Sequence, residues 1–183
     1  MRRLAVCASL LLLSAAVHAT VIVPIEFREL VTASPVIAHG HVTDARAAFV
    51  NGRQSVETFV TVAVDEYLRG NLGEHVTFRV PGGQLGRYNT VFVGAPSFRE
   101  GDEVVVFLKT PSRGVPVITG LNQGAFRVLP DAAGRHMVTA PILMGKSATD
   151  AEPVVRGDAA RRPLTIESFR DVVRQVLSEA GQQ

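Results

Sequence analysis

The chain has 183 residues, with 19 lysines and arginines, 17 aspartates and glutamates, and a single cysteine, Cys7. One cysteine allows no internal disulfide, and a near balance of charge without a basic cluster leaves nothing to hold a nucleic-acid backbone. The length suits one domain with room for a full hydrophobic core.

The first nineteen residues predict a secretory signal peptide. Arg2 and Arg3 precede an apolar run over 4–17, and Val17 and Ala19 supply the small residues a signal peptidase reads, so cleavage is expected after Ala19. As a helix the run spans roughly 21 Å, short of the about 30 Å of a bilayer core, so no membrane anchor is expected to remain. Cys7 lies too early in the run for a lipoprotein site. The expected location is the periplasm or the extracellular medium. From Thr20 onward there are 17 basic and 17 acidic residues and no cysteine, which removes thiolate metal ligands and thiol catalysis.

A short helix is expected next. Pro24 suits a first helical turn, Phe27, Leu30 and Val31 recur at helical spacing, and Ser34-Pro35 ends the run. From Val36 the period becomes two, with Ile37, His39, His41 and Thr43 on one face and Val36, Ala38, Gly40 and Val42 on the other. Gly40 marks a bend or a close backbone approach. Asn51-Gly52 predicts a tight hairpin turn into a strand over 55–68, because both residues tolerate positive φ. Gly70-Asn71-Leu72-Gly73 turns the chain into a strand over 75–80.

Pro81-Gly82-Gly83 stops that strand, and a long connection follows to Asp102, with Val91-Phe92-Val93 as a candidate edge strand. Residues 103–109 contain five consecutive apolar side chains, Val104 to Leu108, which marks a strand buried on both faces. Strands are expected over 115–119, 124–129 and 136–139. Residues 140–163 have no sustained period and read as a surface excursion. Thr165 caps a final helix with Glu167 in its first turn and Ile166, Phe169, Val172, Val173, Val176 and Leu177 as its apolar stripe. Gly181 ends it, and Phe59, Ala63 and Tyr67 are the expected surface beneath it.

Meander order with helices only at the ends predicts a mainly β fold: a small antiparallel OB-like barrel, with a two-sheet sandwich as the alternative. The expected organisation is a signal peptide over 1–19, a barrel domain over 20–140, a surface loop over 141–164, and a helix over 165–180 packed on the same domain.

Chemistry-bearing motifs are few. His39 and His41 share a strand face, but a metal needs three or four ligands and local spacing supplies no third; only strand pairing would bring His75 or Glu57. Exposed polar residues are the simpler reading, and no metal is expected. Gly145-Lys146-Ser147 lacks the preceding glycine and the following helix of a phosphate loop. Gly82, Gly83 and Gly86 could form an anion nest but fit a turn better. Neither Ser97 nor Ser112 lies in a nucleophile elbow, and nothing ties His136 to them. The pair Arg161-Arg162 before Pro163 reads as a solvated linker. No catalytic residue and no cofactor are expected.

One surface stands out. Tyr88, Val91, Phe92, Val93 and Phe98, with Pro96, make the connection over 85–102 more apolar than a solvated loop requires. Either it docks a protein or glycan, or it folds over one barrel end and plugs the core.

A spaced set of segments carries a resemblance: Ala38-His39-Gly40-His41-Val42, the hairpin, Tyr67-Leu68-Arg69-Gly70, Val80-Pro81-Gly82-Gly83 with Gly86, Gly94-Ala95-Pro96-Ser97-Phe98, Gly101-Asp102-Glu103 with the apolar strand, and Gln123-Gly124-Ala125-Phe126. In that order they resemble a group of uncharacterised exported bacterial proteins, over a little more than half the chain. The strand–hairpin–strand order is also similar to the netrin-like modules of tissue metalloprotease inhibitors. That similarity implies a five-stranded barrel of the oligonucleotide/oligosaccharide-binding fold. Those inhibitors chelate the protease zinc through an N-terminal cysteine fixed by disulfides; a chain beginning Thr20-Val21-Ile22 has none, so the resemblance implies a fold and not that mode of inhibition. The expected function is a monomeric, exported, non-enzymatic module that binds another macromolecule, such as an exported protein, or modulates an exported enzyme. An envelope structural or glycan-binding part, and an enzyme with an unrecognised site, are the alternatives.

Overall fold

The computed structural model describes residues 23–50, 52, 54–141 and 163–182; the expected signal peptide, the Gly145-Lys146-Ser147 motif and most of the expected excursion lie outside them. The fold is mainly β with a large sheet. Helix α1 (Phe27–Ala33) leads into two long strands, β1 (Val36–Val50) and β2 (Ser55–Arg69). Then come β3 (His75–Pro81), β4 (Gly83–Leu85), β5 (Tyr88–Thr90), β6 (Glu103–Lys109) and β7 (Val117–Ile118). A 3-10 turn (Leu121–Gly124) precedes β8 (Ala125–Pro130), followed by β9 (His136–Thr139), β10 (Leu164–Thr165) and α2 (Ile166–Ala180).

Eight strands form one sheet in the order β1-β2-β3-β7-β6-β8-β9-β10, and β1 also pairs with β6. All its pairings are antiparallel except β3 with β7. The β1–β2 register runs from Ile37 opposite Arg69 to Val50 opposite Ser55, with a shift between His39 and Gly40. Any side chain at Gly40 would place its Cβ 2.1 Å from the Ala63 carbonyl oxygen, so the absence of one is what lets the two strands approach there.

Two apolar cores lie on opposite faces of the sheet. Val36, Ala38, Val42, Val60, Val62 and Phe78 belong to the inner one, and β6 adds Val104, Val106 and Leu108. The alternate β6 residues, Val105 and Phe107, turn the other way and join Phe27, Phe126, Phe169 and Val173 under the two helices. This double burial is why β6 carries no polar residue between Glu103 and Lys109. The α2 stripe finds its cover here: Phe169 meets Phe27 edge to face at 5.6 Å between ring centroids. Each such buried ring contributes about 1.5–3 kcal/mol by leaving water.

Several expectations need correction. The surface under α2 is the second core, not Phe59, Ala63 and Tyr67; Tyr67 packs on the inner core instead. Val50 opposite Ser55 leaves a four-residue connection at the hairpin tip, not a two-residue turn, with Gly52 at φ +66°. Pro24 precedes α1, which starts at Phe27. The strand expected over 115–119 shortens to Val117–Ile118. Val91-Phe92-Val93 forms no strand; the pairing in that connection is the small β4–β5 hairpin, Gly83 opposite Thr90 and Leu85 opposite Tyr88. Gly82 and Gly83, both at positive φ, allow the backbone to leave β3 and double back into that hairpin.

Candidate functional site

The connection between β3 and β6 is rigid at one end and bare in the middle. At the rigid end, Arg127 of β8 bonds the Asp102 carboxylate and the Ser97 carbonyl, and its guanidinium lies over the Phe98 ring at 5.6 Å. Asp102 also accepts from the Arg99 amide at 2.7 Å, and Gly101 donates to the Val42 carbonyl at 2.8 Å. Phe98 turns inward, edge to face with Phe78 at 5.4 Å, and is a member of the inner core.

Tyr88, Val91, Phe92 and Val93 do the opposite. They are 48%, 78%, 48% and 53% exposed, four large apolar side chains within six residues. The Tyr88 ring meets Phe49 of β1 edge to face at 5.2 Å, and Arg87 lies over it at the same distance. Backbone bonds fix the stretch that follows: Ala95 donates to the Phe92 carbonyl at 3.1 Å and Asn122 to that of Gly94 at 2.9 Å. Gly82 runs so close beneath that a Cβ there would lie 2.7 Å from the Thr90 carbonyl and 3.3 Å from the Phe92 amide. Beside the exposed stretch is a cleft of about 280 Å³ lined by Thr58, Pro81, Gly82, Phe92, Pro96 and Phe98, among others. Its lining is largely apolar, and Thr58 turns its hydroxyl to the Gly82 carbonyl at 2.8 Å.

A second constellation lies on β1, β6 and β9. His39 Nε2 donates to Glu103 Oε1 at 2.8 Å, and His136 Nδ1 to Glu103 Oε2 at 2.7 Å. His41 Nδ1 faces Asp65 Oδ2 of β2 at 2.9 Å, and its Nε2 stands 3.9 Å from Glu103 Oε2. The His39 and Glu103 side chains are 12% exposed, so the expectation of histidines on a wet face fails for His39: the outer face of the sheet is covered beside it by the second core. Burial pushes the Glu103 carboxyl up, but the hydrogen bonds from His39 and His136, with their charge, outweigh it and hold it below its ordinary value. Of the partners considered from sequence, His75 pairs opposite Ala63 on exposed strand surface and Glu57 binds Arg79, so neither joins the two histidines. Glu103 and His136 were not foreseeable from local spacing. The readable signal was one acid opening an otherwise apolar strand, directly after Gly101-Asp102. Among the described residues no group of three or more histidine, cysteine or acidic side chains could hold a metal ion.

No helix among the described residues is long and apolar enough to cross a membrane. No family model matches the chain, and neither curated proteins nor solved structures include a significant match to it.

Proposed function

We propose that this is an exported, non-enzymatic binding module, built on a five-stranded OB-like barrel, that docks another protein through residues 88–93. The reading of export rests on Arg2, Arg3, the apolar run and Ala19. The reading of a barrel rests on a ring of pairings: β1 with β2, β2 with β3, β3 with β7, β7 with β6, and β6 with β1. Each of those five strands has two neighbours in the ring, and the Arg79 amide bonded to the Pro116 carbonyl at 2.9 Å supports its narrowest link.

One observation carries the docking reading: Tyr88, Val91, Phe92 and Val93 are exposed together on backbone that is tied down on both sides. A slack loop would bury such side chains or lose entropy on binding; a fixed one presents them ready-made. A protein fits this surface better than a glycan. Sugars stack on open aromatic faces, whereas the Tyr88 ring is already engaged by Phe49 and Arg87, and valines flank Phe92. An exported enzyme is one such partner class.

The test is retention of exported proteins on the immobilised protein. Val91→Ser with Phe92→Ser should abolish retention of a partner that Leu72→Ser, an exposed apolar position in the β2–β3 turn, leaves intact. Equal retention by both variants would contradict the reading.

A further inference from the structure

Strand β1 is paired along nearly all of one edge and along only half of the other. On the β2 side its register runs from Ile37 to Val50. On the other side β6 accompanies it from Val36 to His41. The last bonds there belong to Val42, whose amide donates to the Asp102 carbonyl at 2.9 Å and whose carbonyl accepts from the Gly101 amide at 2.8 Å. The chain before Gly101 then leaves β1, because Arg127 of β8 holds the Ser97 carbonyl.

The register says which groups this leaves open. Val42 turns both backbone groups away from β2, so Val42 and Val62 face each other without mutual hydrogen bonds, and in an antiparallel ladder such pairs alternate with bonded ones. Past the shift between Val42 and Asp44, Thr61 faces Asp44, Val60 faces Ala45 and Thr58 faces Ala47. The unbonded pairs are those of Ala45 and Ala47, which therefore turn N–H and C=O outward. The alternation holds on β2, where Val64 donates away from β1, to the Glu74 carbonyl at 2.8 Å. Among the described residues neither a strand nor a backbone hydrogen bond meets Ala45 or Ala47 on the outer side. Residues 44–48 carry no proline or lysine to guard this edge, and the Arg46 side chain is bonded back to Asp44 at 2.6 Å.

We propose that the edge from Asp44 to Ala48 takes one extended segment of another polypeptide as an added strand, bonded main chain to main chain at Ala45 and Ala47. This goes beyond docking through residues 88–93, where side chains recognise the partner. Donors and acceptors repeating every second residue, about 6.8 Å apart, are matched as a set by another strand. The same edge already takes β6 in that way, so an added strand continues an existing line of pairing. A second copy of this chain fits less well. Bonding both alanines to those of a two-fold copy sets Ala45 opposite the copy's Ala47 and places Arg46 directly opposite Arg46, a like-charge pair.

Amide exchange of the purified protein, read by NMR, tests this. The Ala45 and Ala47 amides should exchange fast in the free protein, and those of Arg46 and Ala48, which point to β2, slowly. A capped peptide of alternating threonine and valine at millimolar concentration should slow Ala45 and Ala47 about tenfold or more. The same peptide N-methylated at its valines should not, a comparison that needs no variant to fold. Ala47→Pro, which removes an unpaired edge donor, should abolish the slowing at Ala45 and leave the unfolding midpoint in place. Phe92→Ser should leave the slowing intact, which separates this edge from the docking surface. No slowing, equal slowing by the methylated peptide, slowing that survives Ala47→Pro or is lost with Phe92→Ser, or Ala45 and Ala47 already protected without peptide would each overturn the proposal.

Discussion

Phe27 of the first helix and Phe169 of the last meet edge to face, their centroids 5.6 Å apart and their planes at 72°. Both also touch Phe107 and Phe126, so four aromatic rings from two helices and two strands close the second core. The contact ties the two ends of the described chain to the same face of the sheet. Phe169→Ala should therefore destabilise the protein by about 3–5 kcal/mol, read by chemical denaturation. An unchanged midpoint would mean that α2 does not stabilise the sheet.

Gly40 and Gly52 separate two reasons for having glycine. At Gly40 a Cβ would meet the Ala63 carbonyl at 2.1 Å and Val64 Cα at 2.9 Å, and backbone cannot swing away as a side chain can. At Gly52 nothing lies within 4 Å, but φ is +66°. Gly52→Ala should cost about 1 kcal/mol, from the left-handed conformation alone. Gly40→Ala should cost about 1–3 kcal/mol or more, because β1 and β2 must part. Equal midpoints for the two variants would refute the close-approach account.

How much of this was legible beforehand varied with the kind of signal. The double burial of β6 was readable from five consecutive apolar residues, and the Thr165 cap with its stripe gave α2; the Thr165 hydroxyl oxygen accepts from the Ser168 amide at 3.3 Å. Gly40 announced a bend or a close approach, though not which of the two or to which strand. The surface under α2 was misplaced because periodicity says which face of a helix is apolar and nothing about which sheet face receives it. Val91-Phe92-Val93 looked like a strand from composition, yet Gly82, Gly83 and Gly86 place the pairing earlier, in β4 and β5. Glu103 reached His39 through strand pairing, and His136 came in from β9; sequence spacing encodes neither.

Arg127 fixes the far end of the exposed connection by bonding Asp102 and the Ser97 carbonyl. Replacing it with methionine keeps much of the stem and removes those bonds. Amide exchange should then accelerate over 97–102, with a stability loss of about 1–3 kcal/mol. Unaltered exchange there would show that the backbone bonds of Gly101 and Asp102 suffice without it.

The turn between β8 and β9 responds to acid. Asp131 accepts from the amides of Arg135 and Ala133 and from the Arg135 side chain, and the Arg135 backbone bond is first among the causes that hold its carboxyl below the ordinary value of 3.8. A carboxyl lowered in the folded state stabilises fully above its unfolded value, and that contribution disappears as pH falls through the lowered folded one. Carbon-detected NMR titration should place the Asp131 midpoint below 3.8, and Asp131→Asn should remove this part of the acid response. A midpoint at or above the ordinary value would contradict the hydrogen-bonded turn.

Docking through residues 88–93 is tested most directly by placing a photo-crosslinking side chain at position 92 and, as a control, at position 72, both exposed apolar sites. Phe92 borders the cleft beside β5, whereas Leu72 lies in the turn between β2 and β3, at the other end of β2. Irradiation of cells making each version should join position 92 to one exported protein and leave position 72 unjoined. That adduct should disappear when Val91 is replaced by serine in the same chain. No adduct at position 92, or the same adducts from both positions, would contradict the account.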